Sequence, residues 1–249
     1  MIDTHCHLTD PQFQNDLTVV LERAQNAGVT AVINAGYDLA TSRAAVEQRR
    51  LHDWLLPAVG IHPNEAAGAA IKEMARIEET LQKDKVYAIG ETGLDYYRDF
   101  LPRDAQRELF VHHIRLARKY GLPLLIHTRN SIDDAVEIIQ KEGYYKGVFH
   151  CFSGTQEQAR RIINLGFYLG FGGVLTISKK IRQVFRVLPF ERIVLETDAP
   201  FLPPQGHRGQ RNEPAYIRET LRAASQVLSK PPEALEKIFD RNASQLFAI

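Results

Sequence analysis

Six residues that can hold a divalent metal ion are scattered through the chain, each standing where a short apolar run gives out. His5 and His7 follow Met1-Ile2, and Glu91 follows Val86-Tyr87-Ala88-Ile89-Gly90. His127 follows Leu124-Leu125-Ile126, His150 follows Val148-Phe149, and Asp198 follows Ile193-Val194-Leu195-Glu196-Thr197. Imidazoles and carboxylates brought together suit zinc, manganese or magnesium. A catalytic zinc normally takes three protein ligands and a water, so six ligands suit two ions about 3.5–4 Å apart that share a carboxylate. Glu91, from the middle of the order, is the expected bridge. His5 and His7 would hold one ion, and His127 and His150 the other. Asp198 would ligate and also accept the proton of an attacking water.

Other residues gather around this set. Side chains alternate along a strand, so His5 and His7 share a face and Cys6 takes the opposite one. Cys6 and Cys151 therefore read as packing thiols. His52, His112 and His113 fall on helical segments and read as hydrogen-bonded structural residues. Arg129, two positions beyond His127, should stand beside a metal, where its planar fork suits phosphate oxygens. Arg208 is a second candidate for that task. Asp95 suits the support of a ligating histidine from behind. Tyr96 or Tyr97 can stack on a base, although packing is the simpler reading. Glu196 lies deeper than Asp198 with the same parity, and it is expected to pair with a cation inside the fold.

The elements that would position these groups alternate throughout. Strand-like runs cover 1–6, 30–35, 55–61, 86–90, 122–126, 147–149, 167–171 and 192–196. Helical patterns lie near 14–27, 40–52, 69–83, 102–120, 131–142, 155–165, 179–188 and 214–228, with a last one at 231–247. Thr155 suits an N-cap, Pro102 suits a first helical turn, and Gly28, Gly121, Gly143 and Gly166 suit helix ends. Strand and helix in alternation imply a parallel sheet with right-handed crossovers. Eight units in 249 residues match one (β/α)8 barrel, an α/β fold, with an extra C-terminal helix over its rim or base. Such a barrel gathers the C-terminal ends of its strands at one mouth, where all six ligands would meet. No linker or composition shift divides the chain, so 1–249 reads as a single domain. The longest irregular stretch, 200–214, follows the eighth strand on the mouth side, where long loops often serve function.

Formal net charge is +1, so no global field draws the protein to nucleic acid or an anionic membrane, and polyanion contacts must be local. Two cysteines make no disulfide framework. No leader pattern opens the chain and no apolar run approaches the ~20 residues of a membrane span. A cytoplasmic enzyme without an obligate protein partner is the expectation.

The motifs themselves resemble the TatD family of metal-dependent deoxyribonucleases, within the broader metal-dependent hydrolase superfamily. They are Ile2-Asp3-Thr4-His5-Cys6-His7-Leu8, Gly60-Ile61-His62-Pro63, Gly90-Glu91-Thr92-Gly93-Leu94-Asp95-Tyr96, Ile126-His127-Thr128-Arg129, His150-Cys151-Phe152-Ser153-Gly154 and Glu196-Thr197-Asp198-Ala199-Pro200. The resemblance runs from residue 2 to the 242–247 segment. It implies a TIM barrel and phosphodiester hydrolysis, often as a 3′-to-5′ exonuclease. It assigns metal binding to His5, His7, Glu91, His127, His150 and Asp198, and a substrate-side or supporting place to His62. The expected substrate is DNA, mainly single-stranded ends, because near-neutral charge disfavours wrapping long duplex. A rival expectation is a binuclear hydrolase of a small amide, lactone or phosphotriester. Related barrels of that kind commonly bridge their ions with a modified lysine at the fourth strand, where this chain has Glu91.

Overall fold

A computed structural model describes residues 1–65, 70–98 and 101–249. Eight parallel strands follow one another in sequence order. They are β1 (Ile2–Cys6), β2 (Ala31–Ala35), β3 (Leu55–Val59), β4 (Ala88–Asp95), β5 (Leu124–Arg129), β6 (Gly147–Phe149), β7 (Tyr168–Phe171) and β8 (Ile193–Leu195). The helices between them are α1 (Leu17–Asn26), α2 (Leu39–Leu51), α3 (Ala70–Lys83), α4 (Arg103–Tyr120), α5 (Ile132–Glu142), α6 (Gln156–Asn164), α7 (Lys179–Arg186) and α8 (Ile217–Leu228), with α9 (Pro232–Phe247) at the end. The expected start of the third helix, at residue 69, lies outside the described residues. Thr155 caps α6 in a reciprocal capping box, and left-handed Gly121 and Gly143 end α4 and α5. Pro102 sits at the N-cap of α4, one position before the turn expected for it.

The sheet closes where β1 meets the chain beyond β8. Asp198 N–H donates to the His5 carbonyl at 2.9 Å, and His7 N–H donates to Ala199 O at 2.7 Å. Asp3 fastens the same seam from inside: it accepts from the Thr197 hydroxyl at 2.6 Å and the Thr197 amide at 2.9 Å. Two apolar layers result. One packs the helices onto the outside of the barrel, with Phe110, Phe149, Phe167 and Phe185 among its largest members. The other fills the barrel interior with Ile2, Ile33, Leu56, Ala88, Leu125, Val148, Tyr168 and Val194. From α9, Ala243, Leu246 and Phe247 join this inner layer, so the last helix plugs the base of the barrel.

Parity explains how the interior hands over from apolar filling to polar site. In β5, β6 and β8 the inward apolar residue and the polar one above it differ by two: Leu125 and His127, Val148 and His150, Val194 and Glu196. In β1 and β4 the offset is odd, Ile2 to His5 and Ala88 to Glu91. Each of those intervals contains a register shift in the ladder, between Asp3 and Cys6 and between Ile89 and Thr92. Irregularities of this kind re-aim side chains near active sites. β4 therefore does not stop at Gly90; it runs on to Asp95 and pairs Gly93 with His127 and Asp95 with Arg129. Gly93 is required there, since its φ is +136° and a Cβ would lie 2.0 Å from the His127 carbonyl.

Candidate metal centre

All six expected ligands meet at the mouth. His5, His7, Glu91, His150 and Asp198 are buried, and His127 is half-buried. Glu91 stands at the middle, and its two oxygens face different partners. Oε2 lies 3.5 Å from His5 Nε2 and 3.3 Å from His7 Nε2. Oε1 lies 2.8 Å from His150 Nε2, 3.0 Å from His127 Nδ1 and 3.5 Å from His62 Nε2. Asp198 Oδ1 closes the first group at 3.6 Å from His5 Nε2 and 3.5 Å from His7 Nε2. Three sets of donors lie within 4.8 Å of one another: His5, His150 and Asp198; His5, His7 and Glu91; and His62, Glu91 and His127. Asp198 has φ +58° and Cys151, beside His150, has φ +44°. Left-handed backbone in non-glycine residues costs energy and gathers at functional sites.

The surroundings fix which ring nitrogens face inward. His7 Nδ1 donates to the Ala35 carbonyl at 2.9 Å, leaving Nε2 toward Glu91, where a bound cation would replace its proton. His127 Nε2 lies 3.3 Å from Asp95 Oδ2, which leaves Nδ1 toward Glu91. Asp95 is itself held by the amides of Tyr97 and Arg98 at 3.0 and 3.2 Å, so the expected support behind a histidine falls on His127. His62 differs. Its Nδ1 accepts from the Asn64 amide at 3.1 Å, so the neutral ring carries its proton on Nε2 and points an N–H, not a lone pair, at Glu91.

Charge follows the same pattern. Burial opposes the negative charge of Glu91, but His150, His62 and His5 hold its carboxyl well below the ordinary value. Burial likewise opposes Asp198, and His7, His5 and His150 hold it low. Burial works against charge on His7, yet Asp198 and Glu91 raise it to about 10. His62 is driven down to about 3, chiefly by burial, and is neutral. The ion-pair partners of Glu91 and Asp198 among the described residues are histidines alone. Convergent nitrogen and oxygen donors, buried around two carboxylates with no Lys or Arg between them, fit a divalent cation.

Glu196 pairs with a cation inside the barrel, as expected: it faces His150, where burial opposes charge but Glu91 and Glu196 raise the pKa well above the ordinary value. Its Oε1 accepts from the Cys151 amide and lies 3.7 Å from His150 Nδ1, while Oε2 packs against Gly170 with no hydrogen-bond partner among the described residues. A Cβ at Gly170 would sit 2.2 Å from that oxygen. Cys6 is buried as expected, but Cys151 is only half-buried. Burial raises the pKa of both thiols well above the ordinary value, so both are protonated. The Arg129 side chain is exposed, and its guanidinium lies 3.7 Å over the Tyr97 ring. Arg208 is exposed on the loop after β8. His113 is the structural histidine it resembled: it bridges Leu109 O at 2.8 Å and the Ile61 amide at 3.0 Å, anchoring the segment that carries His62. Sequence reasoning missed Asp3 and Asn212, although Asp3 shares the parity of His5 and His7.

Known proteins show the same arrangement of chain. The family described as TatD related DNase matches residues 2–248. The chain belongs to the TatD family. It is 38% identical to the metal-dependent hydrolase YabD of Bacillus subtilis, covering 100% of this chain and 99% of that one. It is 31% identical to the 3′-5′ ssDNA/RNA exonuclease TatD of Cronobacter sakazakii, over 99% and 97% of the two chains. The crystal structure of the TatD homologue YjjV from Escherichia coli superposes with a TM-score of 0.93 at 30% identity, covering 100% of this chain and 98% of that one. A TatD-family member with this fold is a metal-dependent hydrolase, and His, Glu and Asp groups stand where a metal can bind. No helix among the described residues is long and apolar enough to cross a membrane.

Proposed function

We propose that this TatD-family hydrolase cleaves phosphodiester bonds at the ends of single-stranded DNA, with two divalent ions that His5, His7, Glu91, His127, His150 and Asp198 would hold. The observation that carries the reading is the division of Glu91, with His5 and His7 on one oxygen and His127 and His150 on the other, while Asp198 faces His5 and His7. Divalent ions in such a site lower the pKa of water and neutralise charge on phosphoryl oxygens. The protein's own groups supply the rest. Asp198, buried and held ionised by His7, His5 and His150, takes the proton of the attacking water. His62 offers a neutral N–H to a phosphoryl oxygen. Arg129 leaves its guanidinium edge for phosphate while its face rests on Tyr97. Arg208, on the loop after β8, is a second cation for the strand.

A groove of about 770 Å³ leads away from the ends of β5 and β6, past Thr128, Asn130 and Ser153. Arg103, Arg107, Arg161 and Lys180 line it, opposed by Asp133, Asp134 and Glu137. It is a path for a strand, too nearly neutral to hold long duplex by charge. The name of the Cronobacter sakazakii relative, a 3′-5′ ssDNA/RNA exonuclease, supports the same direction of attack here. A small-amide or phosphotriester hydrolase is less well supported, since Glu91 stands at the fourth strand and its ion-pair partners among the described residues are histidines, not lysine.

Arg129→Ala should slow cleavage of every sequence alike, because a phosphate contact carries no base information. Arg129→Lys should recover part of the rate, lacking the fork. Kinetics on 3′-tailed and blunt oligonucleotides test this. Unchanged rates in Arg129→Ala, or preference for internal duplex sites, would remove phosphate from this side of the mouth.

A further inference from the structure

The loop after β8 holds two large apolar side chains in water beside the metal centre. Phe201 is 44% exposed and Leu202 45% exposed. Neither is loosely placed. The Phe201 amide donates to Asp198 O at 2.8 Å, and the Phe201 carbonyl accepts from Asn212 Nδ2 at 2.7 Å. The same Asn212 nitrogen holds Thr197 O at 2.7 Å, so one buried amide ties the loop to the end of β8. The Phe201 ring meets His7 edge-on, with centroids 5.8 Å apart. Leu202 has φ +49°, a backbone conformation that a branched side chain adopts at a cost. Its carbonyl lies against Gly173, where a Cβ would approach to 2.4 Å. A loop that is rigid, strained and apolar next to polar chemistry is poorly explained by folding alone, since glycine and polar residues would satisfy it better.

Tyr37 also stands edge-on to His7, with centroids 5.8 Å apart, but is half-buried, and a further aromatic at the mouth is already engaged. Tyr97 is 61% exposed, but Arg129 lies across its ring. Among the described residues no cation lies over Phe201, so its exposed surface is open to a planar apolar partner. We propose that Phe201, buttressed by Leu202, is a stacking platform for the nucleobase of the nucleotide adjoining the scissile phosphate. The proposal rests on the phosphodiesterase reading above. An aromatic ring binds every base through its π-face, which gives affinity for a strand end without sequence selection. It also places the nucleoside on the His7 and Asp198 side, opposite the Tyr97–Arg129 pair.

The test pairs protein and substrate changes. Metal-loaded wild type and Phe201→Ala are assayed on single strands ending in adenosine and on matched strands ending in an abasic residue. Phe201→Ala should lose about tenfold or more in kcat/KM on the base-bearing end, mostly through KM. Removing the base should cost wild type a similar factor, and the two proteins should then differ by less than about twofold. Phe201→Trp should restore binding. A terminal 2-aminopurine with an uncleavable last linkage should be quenched by wild type and not by Phe201→Ala, an optical readout independent of turnover. Leu202→Gly should melt at or above the wild-type temperature yet bind the base-bearing end more weakly. Equal losses for Phe201→Ala on both ends, with unchanged quenching, would overturn the platform while leaving the phosphodiesterase intact. Failure of metal-loaded wild type to cleave either strand would overturn both.

Discussion

At the scale of single residues, three histidines of the centre turn one ring nitrogen inward and commit the other to the scaffold, whereas Nδ1 of His5 and of His150 has no hydrogen-bond partner among the described residues. His7 spends Nδ1 on Ala35 O, His127 spends Nε2 on Asp95, and His62 spends Nδ1 on the Asn64 amide. The first two turn their other ring nitrogen inward, where a cation would replace its proton, and the third turns a donor inward. Asp198→Asn should therefore lower turnover by roughly 10²–10⁴-fold, the usual contribution of a general base, with the loss of a ligand added. Its melting temperature should change little, and kinetics at saturating metal beside calorimetry check both. Near-wild-type turnover would place the base elsewhere. Asp95→Ala should act through His127, weakening metal affinity by about 10–100-fold in a competition titration, as removal of such supports typically does. The six candidate ligands were legible in the sequence because each follows an apolar run. Glu196 was legible only as a buried acid. Its partners, Cys151 and His150, are 45 and 46 positions away, and no spacing announces them.

At the scale of elements, strand order and helix order followed from the alternation of patterns, and boundaries moved by a few residues. What the pattern hid were the register shifts in β1 and β4. A strict period of two from Ile2 or Ala88 would turn His5 and Glu91 away from the interior, and only the broken ladder turns them back. The seam between β1 and β8 was equally hidden, because Asp3 and Thr197 meet 194 positions apart. Asp3→Ala should leave the Thr197 amide unsatisfied and loosen His5 against Asp198. It should cost about 1–3 kcal/mol in denaturant unfolding and weaken metal binding as well. A stable Asp3→Ala with wild-type metal affinity would show that the seam is held without it. His113 tests the α4 contact with the β3 end. Burial lowers its pKa to about 4, against an ordinary 6.5. Between those values the unfolded chain binds a proton that the folded one refuses, so stability falls as pH drops from about 6.5 to about 4, by up to about 3 kcal/mol. His113→Gln keeps an acceptor for Ile61 and should flatten that part of the stability–pH curve, at some cost in stability at neutral pH. An unchanged slope would assign the acid sensitivity to other groups.

At the scale of the whole molecule, a barrel plugged below by α9 and open above presents a recessed, nearly neutral mouth. Net charge is +1, and the groove beside the centre sets four cations against three acids. Single-strand affinity should thus depend only modestly on salt. With no more than the four groove cations engaged, log K against log salt should fall with a slope no steeper than about −3, at ~0.7 per phosphate. A slope near −10 would indicate an extended nucleic-acid surface that the fold does not display. The central claim joins metal, bridge and phosphodiester, and one measurement addresses it most directly. End-labelled single-stranded DNA is incubated with protein stripped by chelator and then titrated with Mg²⁺ or Mn²⁺, while bound metal is counted at each point. The expected result is no cleavage when stripped, then stepwise shortening from the 3′ end that reaches full rate at about two bound ions per chain. In Glu91→Gln, cleavage should be lost and the stoichiometry should fall. Full activity in the stripped protein, or metal-loaded protein inert toward every strand end, would contradict it.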